Sequence, residues 1–332
     1  MKENTLPQAG PSAGNKKTLK SQLIFAAIFI GAVVVVFLFF NLITHGNFLE
    51  WTNIKVILTS MVWPTFMAWG MSLLFACGYN DLSWGGIVVL ASFATGAFGN
   101  AFGLGAAIIA GFSVGTILVF INFVVFAFTK IPSWVASLAL AMIYEAIGVF
   151  LRTNKATMQY VEPAFKKSLR ILGTLPWSII LLFIGMIILY FIYNRTNIGF
   201  NLRAIGGNEG VAKALGVNVV RTLILVGLIC GVIIGVTSFL QESYSGYTTV
   251  KSGLSSIILI FKPLAIAMLA EILQKRINVI IAVPICGFLM YSLFTILTQL
   301  HVPDGTLQEA LLAGFIITFA IIGQRRVKEV VK

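Results

Sequence analysis

Charge is what this 332-residue chain has least of: 10% of its residues are Asp, Glu, Lys or Arg, and only 11 are acidic. A water-soluble domain carries about 25% charged residues. With so few, the chain cannot cover a water-facing surface, and lipid must be its main solvent. Histidine (2) and cysteine (3) are nearly as scarce. Cys77, Cys230 and Cys286 lie in apolar runs without a CxxC spacing, and His45 and His301 sit far apart in sequence. No metal site and no cofactor is indicated; thiols so placed pack as small hydrophobes. Also missing are the phosphate loop GxxxxGK[ST], the HExxH catalytic pattern and the GxGxxG dinucleotide turn, so nothing asks for an enzyme or for a bound nucleotide.

What the chain does have is oil. Hydrophobic residues make up 58% of it, gathered into about ten runs, each near the ~20 residues a helix needs to cross a bilayer. They fall near 22–44, 55–77, 84–101, 104–129, 133–151, 176–194, 221–241, 252–271, 277–298 and 306–323. The expected fold is all-α: a polytopic transmembrane bundle from residue 21 to 324 between polar tails at 1–20 and 325–332. Pro64, Gly70, Gly78, Gly85 and Gly86 should break the second and third spans. Broken helices at membrane depth persist only when buried in protein or lining a cavity.

The net charge of +12 does not point to nucleic acid, because of where it sits. With ten spans and a cytoplasmic N-terminus, 15 of the 23 Lys and Arg fall on the inner side, the bias of a multi-pass plasma-membrane protein with both ends in the cytoplasm. The run at 22–44 is too long for a cleaved signal and reads as a first span.

One stretch breaks the oil: "RAIGGNEGVAKALGVNV", 203–219. Gly206 and Gly207 supply a tight turn, Asn208 an N-cap, and Glu209 an acid in the first turn of a short helix that Gly216 ends. Val211, Ala212 and Leu215 share a face, and so short a helix needs something to pack on. That partner is either the chain's own cytoplasmic end or another protein.

The longer segment "TNIGFNLRAIGGNEGVAKALGVNV" (196–219) resembles the cytoplasmic loop of the sugar-type ABC transporter permeases, the ribose and galactoside uptake family, through Thr196, Gly199, Arg203, Ala204, Gly206, Asn208, Ala212, Gly216, Val217 and Asn218. "GYNDLSWGGIVVLASF" (78–93) is similar to that family's Gly-x-Asp-Leu-Ser-x-Gly signature, with one extra residue before Asp81, and "KIPSWVASLALAMIYEAIG" (130–148) matches more weakly. The resemblance implies a bacterial permease subunit moving a monosaccharide or similar polar solute. Its implied partners are cytoplasmic ATPase subunits, an extracytoplasmic solute-binding protein and a second permease copy or paralogue. The 203–216 segment (Arg203, Gly206, Gly207, Asn208, Glu209, Val211, Ala212, Leu215, Gly216) would then be the ATPase-coupling element.

The chain departs from that family at "SGYTTVKSGLSSIILIFKPLAIAML" (245–269), with Lys262 and Pro263 inside a span. An intramembrane charge is a functional-site candidate by default. Glu145 is its expected partner, either as structural glue or along a substrate pathway that also takes in Asn80, Asp81, Ser83 and Trp84. Asp81 can instead cap the helix that follows. The basic outer loop at 152–175 holds Arg152, Lys155, Lys166, Lys167 and Arg170, read either as a solvated loop or as a docking surface for the binding protein. "GYNDLSWG" and "GYTTVKSG" form a faint echo on opposite sides of the membrane, as inverted repeats do. A permease for nucleosides, inositol or branched-chain amino acids, and an ion-coupled transporter using Glu145 and Lys262, stay open as alternatives.

Overall fold

The computed structural model describes residues 31–330 apart from 32, 33, 36, 45, 130, 153–163, 250, 275, 303 and 304; of Thr306 and residues 322–330 it describes the backbone alone. The described residues are almost all helical and contain no strand. They divide into two compact units, one up to Glu50 and one from Trp51 onward. In the first, residues 37–43 are helical; most of the run expected at 22–44 lies outside the described residues.

The second unit contains α1 (Trp51–Ser60), α2 (Val62–Cys77), α3 (Trp84–Phe102), α4 (Leu104–Thr129), α5 (Ser133–Arg152), α6 (Trp177–Arg195), α7 (Asn197–Gly207), α8 (Glu209–Ala214), α9 (Val219–Ser245), α10 (Ile258–Leu273), α11 (Val279–Gln299) and α12 (Thr306–Val330). Eight spans among them are long and apolar enough to cross a membrane, with α1 and α2 counting as one. In α12 the apolar part is the shorter Leu307–Ile321, and the helix runs on to Val330 through the segment expected as a polar tail. The α6 helix turns Phe183, Ile184, Ile187, Ile188 and Phe191 outward. So much exposed oil on one helix suits lipid and not water.

Small residues set the packing at the centre. Gly227, Gly231 and Gly235 recur every fourth residue along α9 and so share one face. A Cβ on Gly231 would lie 2.9 Å from the Thr116 Cα, and one on Gly235 would lie 2.7 Å from the Phe112 Cα. On α4, a Cβ on Gly115 would sit 2.7 Å from the Gly235 Cα. Two backbones meet here without side chains between them, the small-residue packing by which membrane helices associate when lipid removes the hydrophobic drive.

The breaks differ from those the glycines suggested. The span formed by α1 and α2 is interrupted at Met61. Pro64 has no N–H to donate to the Ser60 carbonyl, four residues back, and the helix restarts at Val62. Gly70, Gly85 and Gly86 stay helical; they are small to let neighbours close in. A Cβ on Gly70 would be 2.8 Å from the Trp84 ring, and one on Gly85 would overlap the Ser256 carbonyl. Gly78 does end its helix, with φ +78°. Besides that interruption at Met61, the breaks that matter for the site are 78–83 and the connection between α9 and α10.

Candidate functional site

Asp81 sits in the first break, and its carboxylate is 95% covered. Its Oδ1 accepts from the Ser83 N–H (2.8 Å) and Ser83 Oγ (2.7 Å); its Oδ2 accepts from Trp84 Nε1 (3.0 Å) and Asn122 Nδ2 (2.7 Å). Tyr144 Oη in turn donates to Asn122 Oδ1 at 2.7 Å. Burial pushes the Asp81 carboxyl above the ordinary carboxylate range, while the bonds from Ser83, Asn122 and Trp84 pull the other way. With four donors engaged, this carboxylate closes the turn that starts α3. Ser83 and Trp84 are wholly buried with it. Asn80 alone of the group is exposed; its N–H is held by Ser133 Oγ, and Ser137 Oγ takes the Leu82 N–H.

Glu145 does for the second break what Asp81 does for the first. Its two oxygens accept the N–H groups of Ser256 (2.7 Å) and Leu254 (2.8 Å), in the turn that leads into α10. Glu145 and Arg152 are seven residues apart on α5, and Arg152 donates to the Thr248 carbonyl. Thr248 and Ser256 are therefore held at points about 10 Å apart along α5, at 1.5 Å per residue. Ser256 ends up against Gly85 and Gly86, so the two breaks meet. Tyr144 and Glu145, neighbours on one helix, hold one break each. The expected Lys262–Glu145 ion pair does not form, because backbone amides occupy the carboxylate.

Lys262 lies in α10 and faces a different neighbourhood. Its Nζ sits 4.5 Å from the Phe294 ring centre and 5.9 Å from that of Tyr291, lining a cavity of about 510 Å³ between α1, α2, α10, α11 and α12. The α11 helix contributes Tyr291, Phe294, Thr295, Thr298 and Gln299, the i, i+3, i+4, i+7, i+8 face of a helix. Asn53 comes from α1, Trp63 from α2, and Gln308 and Glu309 from α12. Gln299 Oε1 is buried with no hydrogen-bond partner, an arrangement that costs about 1–3 kcal/mol when nothing fills it. Glu145 instead lines a separate recess with Met142, Val149, Ser252 and Gly253.

At one end of the bundle, the 195–218 connection is more ordered than the sequence indicated. Thr196 caps a whole extra helix, α7, by accepting the Gly199 N–H. Its glycine-rich, amphipathic composition hid it among loop signals. Gly206 and Gly207 are the last residues of that helix and make no left-handed turn. Gly206 is small because the Ala76 carbonyl lies where its Cβ would be. Arg203 turns back on α6, donating to the Tyr193 carbonyl at 2.8 Å and lying over the Tyr193 and Phe200 rings. Asn208 caps α8 through the Val211 N–H, Glu209 pairs with Lys213 at 2.6 Å, and Gly216 at φ +86° ends it. The expected shared face divides: Ala212 is buried, while Val211 is 54% and Leu215 77% exposed. A cleft beside α8 runs to Gly78, Asn80 and Ser133.

At the opposite end, the basic loop also divides. Arg152 is buried and grips Thr248, and Arg170 donates through Nε to the Ser243 carbonyl (2.9 Å) and through Nη2 to that of Tyr244. Both secure the end of α9, and Arg152 is not presented to any partner. Lys166 and Lys167 are exposed, with Lys166 Nζ 2.8 Å from the Asn100 carbonyl. Lys155 lies outside the described residues.

A bundle of apolar helices with two held breaks meeting inside it, and a cavity whose mostly apolar wall carries several polar groups, is the build of an integral membrane transporter. Residues 53–321 match the family described as "Branched-chain amino acid transport system / permease component", and the chain belongs to that permease family. It is 27% identical over 219 residues to the fructose import permease protein FrcC of Rhizobium meliloti (62% of this chain, 61% of that protein). It is 28% identical over 222 residues to the L-arabinose transport system permease protein AraH of Escherichia coli (67% and 65%). It is 26% identical over 152 residues to the galactose/methyl galactoside import permease protein MglC of Haemophilus influenzae (43% and 44%). The matches thus span less than two thirds of these relatives' lengths. No solved structure matches the chain significantly.

Proposed function

We propose that this chain is the membrane-spanning permease subunit of an ATP-binding cassette importer in the bacterial plasma membrane, passing a monosaccharide or similar polar solute into the cytoplasm. ATP hydrolysis takes place on separate ATPase subunits. A solute-binding protein delivers from outside, and a second copy or paralogue completes the pathway. The observation that carries the reading is α8: a capped six-residue helix, braced from behind by the close approach of Gly206 to α2, with Val211 and Leu215 left to water. A connector serving only its own chain would bury those two side chains. The sugar-permease relatives support the solute class, and the occupied carboxylate of Glu145 weighs against proton coupling through it.

The test is co-purification from native membranes in mild detergent. An ATPase subunit should follow the wild type and be lost from Leu215→Asp, whose melting temperature should stay nearly unchanged because the residue is 77% exposed. An ATPase that binds both forms equally removes α8 as the coupling element. Its absence from the wild type overturns the reading as a whole.

A further inference from the structure

The α10–α11–α12 cavity has a chemistry of its own. Its volume of about 510 Å³ falls within the ~300–1,000 Å³ of small-molecule sites. It sits among apolar spans, yet its wall carries an ammonium, a carboxylate (Glu309), two threonines and several amides. The threonine hydroxyl hydrogens are already committed inside α11: Thr295 donates to the Tyr291 carbonyl at 2.9 Å and Thr298 to that of Phe294 at 3.0 Å. What Thr295 offers the cavity is therefore acceptor lone pairs. Gln299 Oε1 is a second acceptor, buried and without a donor. The ammonium of Lys262 supplies donors from the facing wall, steadied over the rings of Phe294 and Tyr291. Acceptors on one wall, donors on the other and aromatic faces between them call for a solute whose polar groups both give and take hydrogen bonds along a compact ring. Hydroxyl groups do both; each is one donor and two acceptors. With Lys262 and Glu309 both on the wall, there is no net charge to favour an anion.

We propose that this cavity binds one polyhydroxylated solute, a monosaccharide or cyclic polyol, with Gln299 Oε1 and Thr295 Oγ1 accepting from its hydroxyls and Lys262 donating to them. This deepens the sugar-uptake reading above and rests on it.

The test uses the full chain in inside-out and right-side-out membrane vesicles with a Thr298→Cys reporter, on the same wall of the cavity but outside the proposed ligand set. The native Cys77, Cys230 and Cys286 are all buried and give a low background. Labelling by a polar thiol reagent is timed with and without D-galactose, L-arabinose, D-fructose, myo-inositol and L-leucine. Labelling should slow about tenfold with the preferred sugar or polyol at about ten times its Kd, as 1 + [L]/Kd requires. L-Leucine should leave it unchanged. Adding Gln299→Leu should abolish the protection while the rate without solute stays the same. No labelling from either side, no protection by any sugar or polyol, or protection by L-leucine alone each overturns the proposal. Sugar uptake measured in the same cells separates the two levels. Uptake that depends on the chain, without protection, removes the site and leaves the permease; uptake that does not depend on the chain removes both.

Discussion

Replacing Glu145 separates two accounts of one buried carboxylate. Each of its oxygens takes one backbone N–H of the turn into α10, from Ser256 at 2.7 Å and Leu254 at 2.8 Å, with the side chain 3% exposed. Glu145→Ala leaves both donors, the Ser256 N–H buried and the Leu254 N–H half-buried, without their acceptor. At about 1–3 kcal/mol for each unsatisfied buried group, the loss comes to roughly 2–6 kcal/mol. Glu145→Gln keeps one carbonyl acceptor but turns an NH2 toward the other donor, so it should cost about half as much. At about 2–4 °C per kcal/mol, the alanine variant should melt on the order of 5–20 °C lower, with glutamine in between. The assay is a melting series on detergent-solubilised protein, read by fluorescence-detected size exclusion beside uptake in cells. If Glu145→Ala melts with the wild type, the carboxylate does not hold the break. If Glu145→Gln melts normally yet abolishes uptake, the residue handles protons and the ion-coupled reading replaces the structural one.

Two further outcomes follow from contacts already described. Gly235→Ala puts a methyl group 2.7 Å from the Phe112 Cα and should destabilise by about 1–3 kcal/mol through overpacking, read as a lower melting temperature; an unchanged value would mean that α4 and α9 are not closely apposed. Reversing the exposed Lys166 and Lys167 to Glu should slow association with an acidic binding protein and blunt its salt dependence, measured by stopped flow at two ionic strengths, whereas unchanged rates would leave the loop a solvated one.

The sequence by itself determined the class of this protein. A chain that is 10% charged and 58% hydrophobic has one solvent open to it, and run length against bilayer thickness then places the helices, because both are local quantities. Capping is local as well: Asn208 and Gly216 lie within a few residues of the backbone they satisfy, and α8 was legible from them. The turn that Asp81 holds before α3 was partly legible for the same reason, its bond to the Ser83 N–H spanning two residues, although Asp81 caps no N–H of α3 itself. Its link to Asn122, 41 residues away, was not.

Only the tertiary structure decided what long-range neighbours do. The every-fourth-residue glycines of α9 were visible, but a glycine reads alike whether it bends a chain or admits a second backbone; Gly70, Gly85 and Gly206 read as breaks or turns and proved to be contacts. Lys262 and Glu145 matched in charge and invited pairing. Yet the carboxylate lies nearer two amide hydrogens more than a hundred residues on, and the ammonium faces another wall. Arg152 and Lys166 looked alike in one basic loop, until the fold buried the first against Thr248 and left the second in water. In a bilayer each polar group must find a partner somewhere, and which partner it finds depends on helix packing that no local stretch of sequence contains.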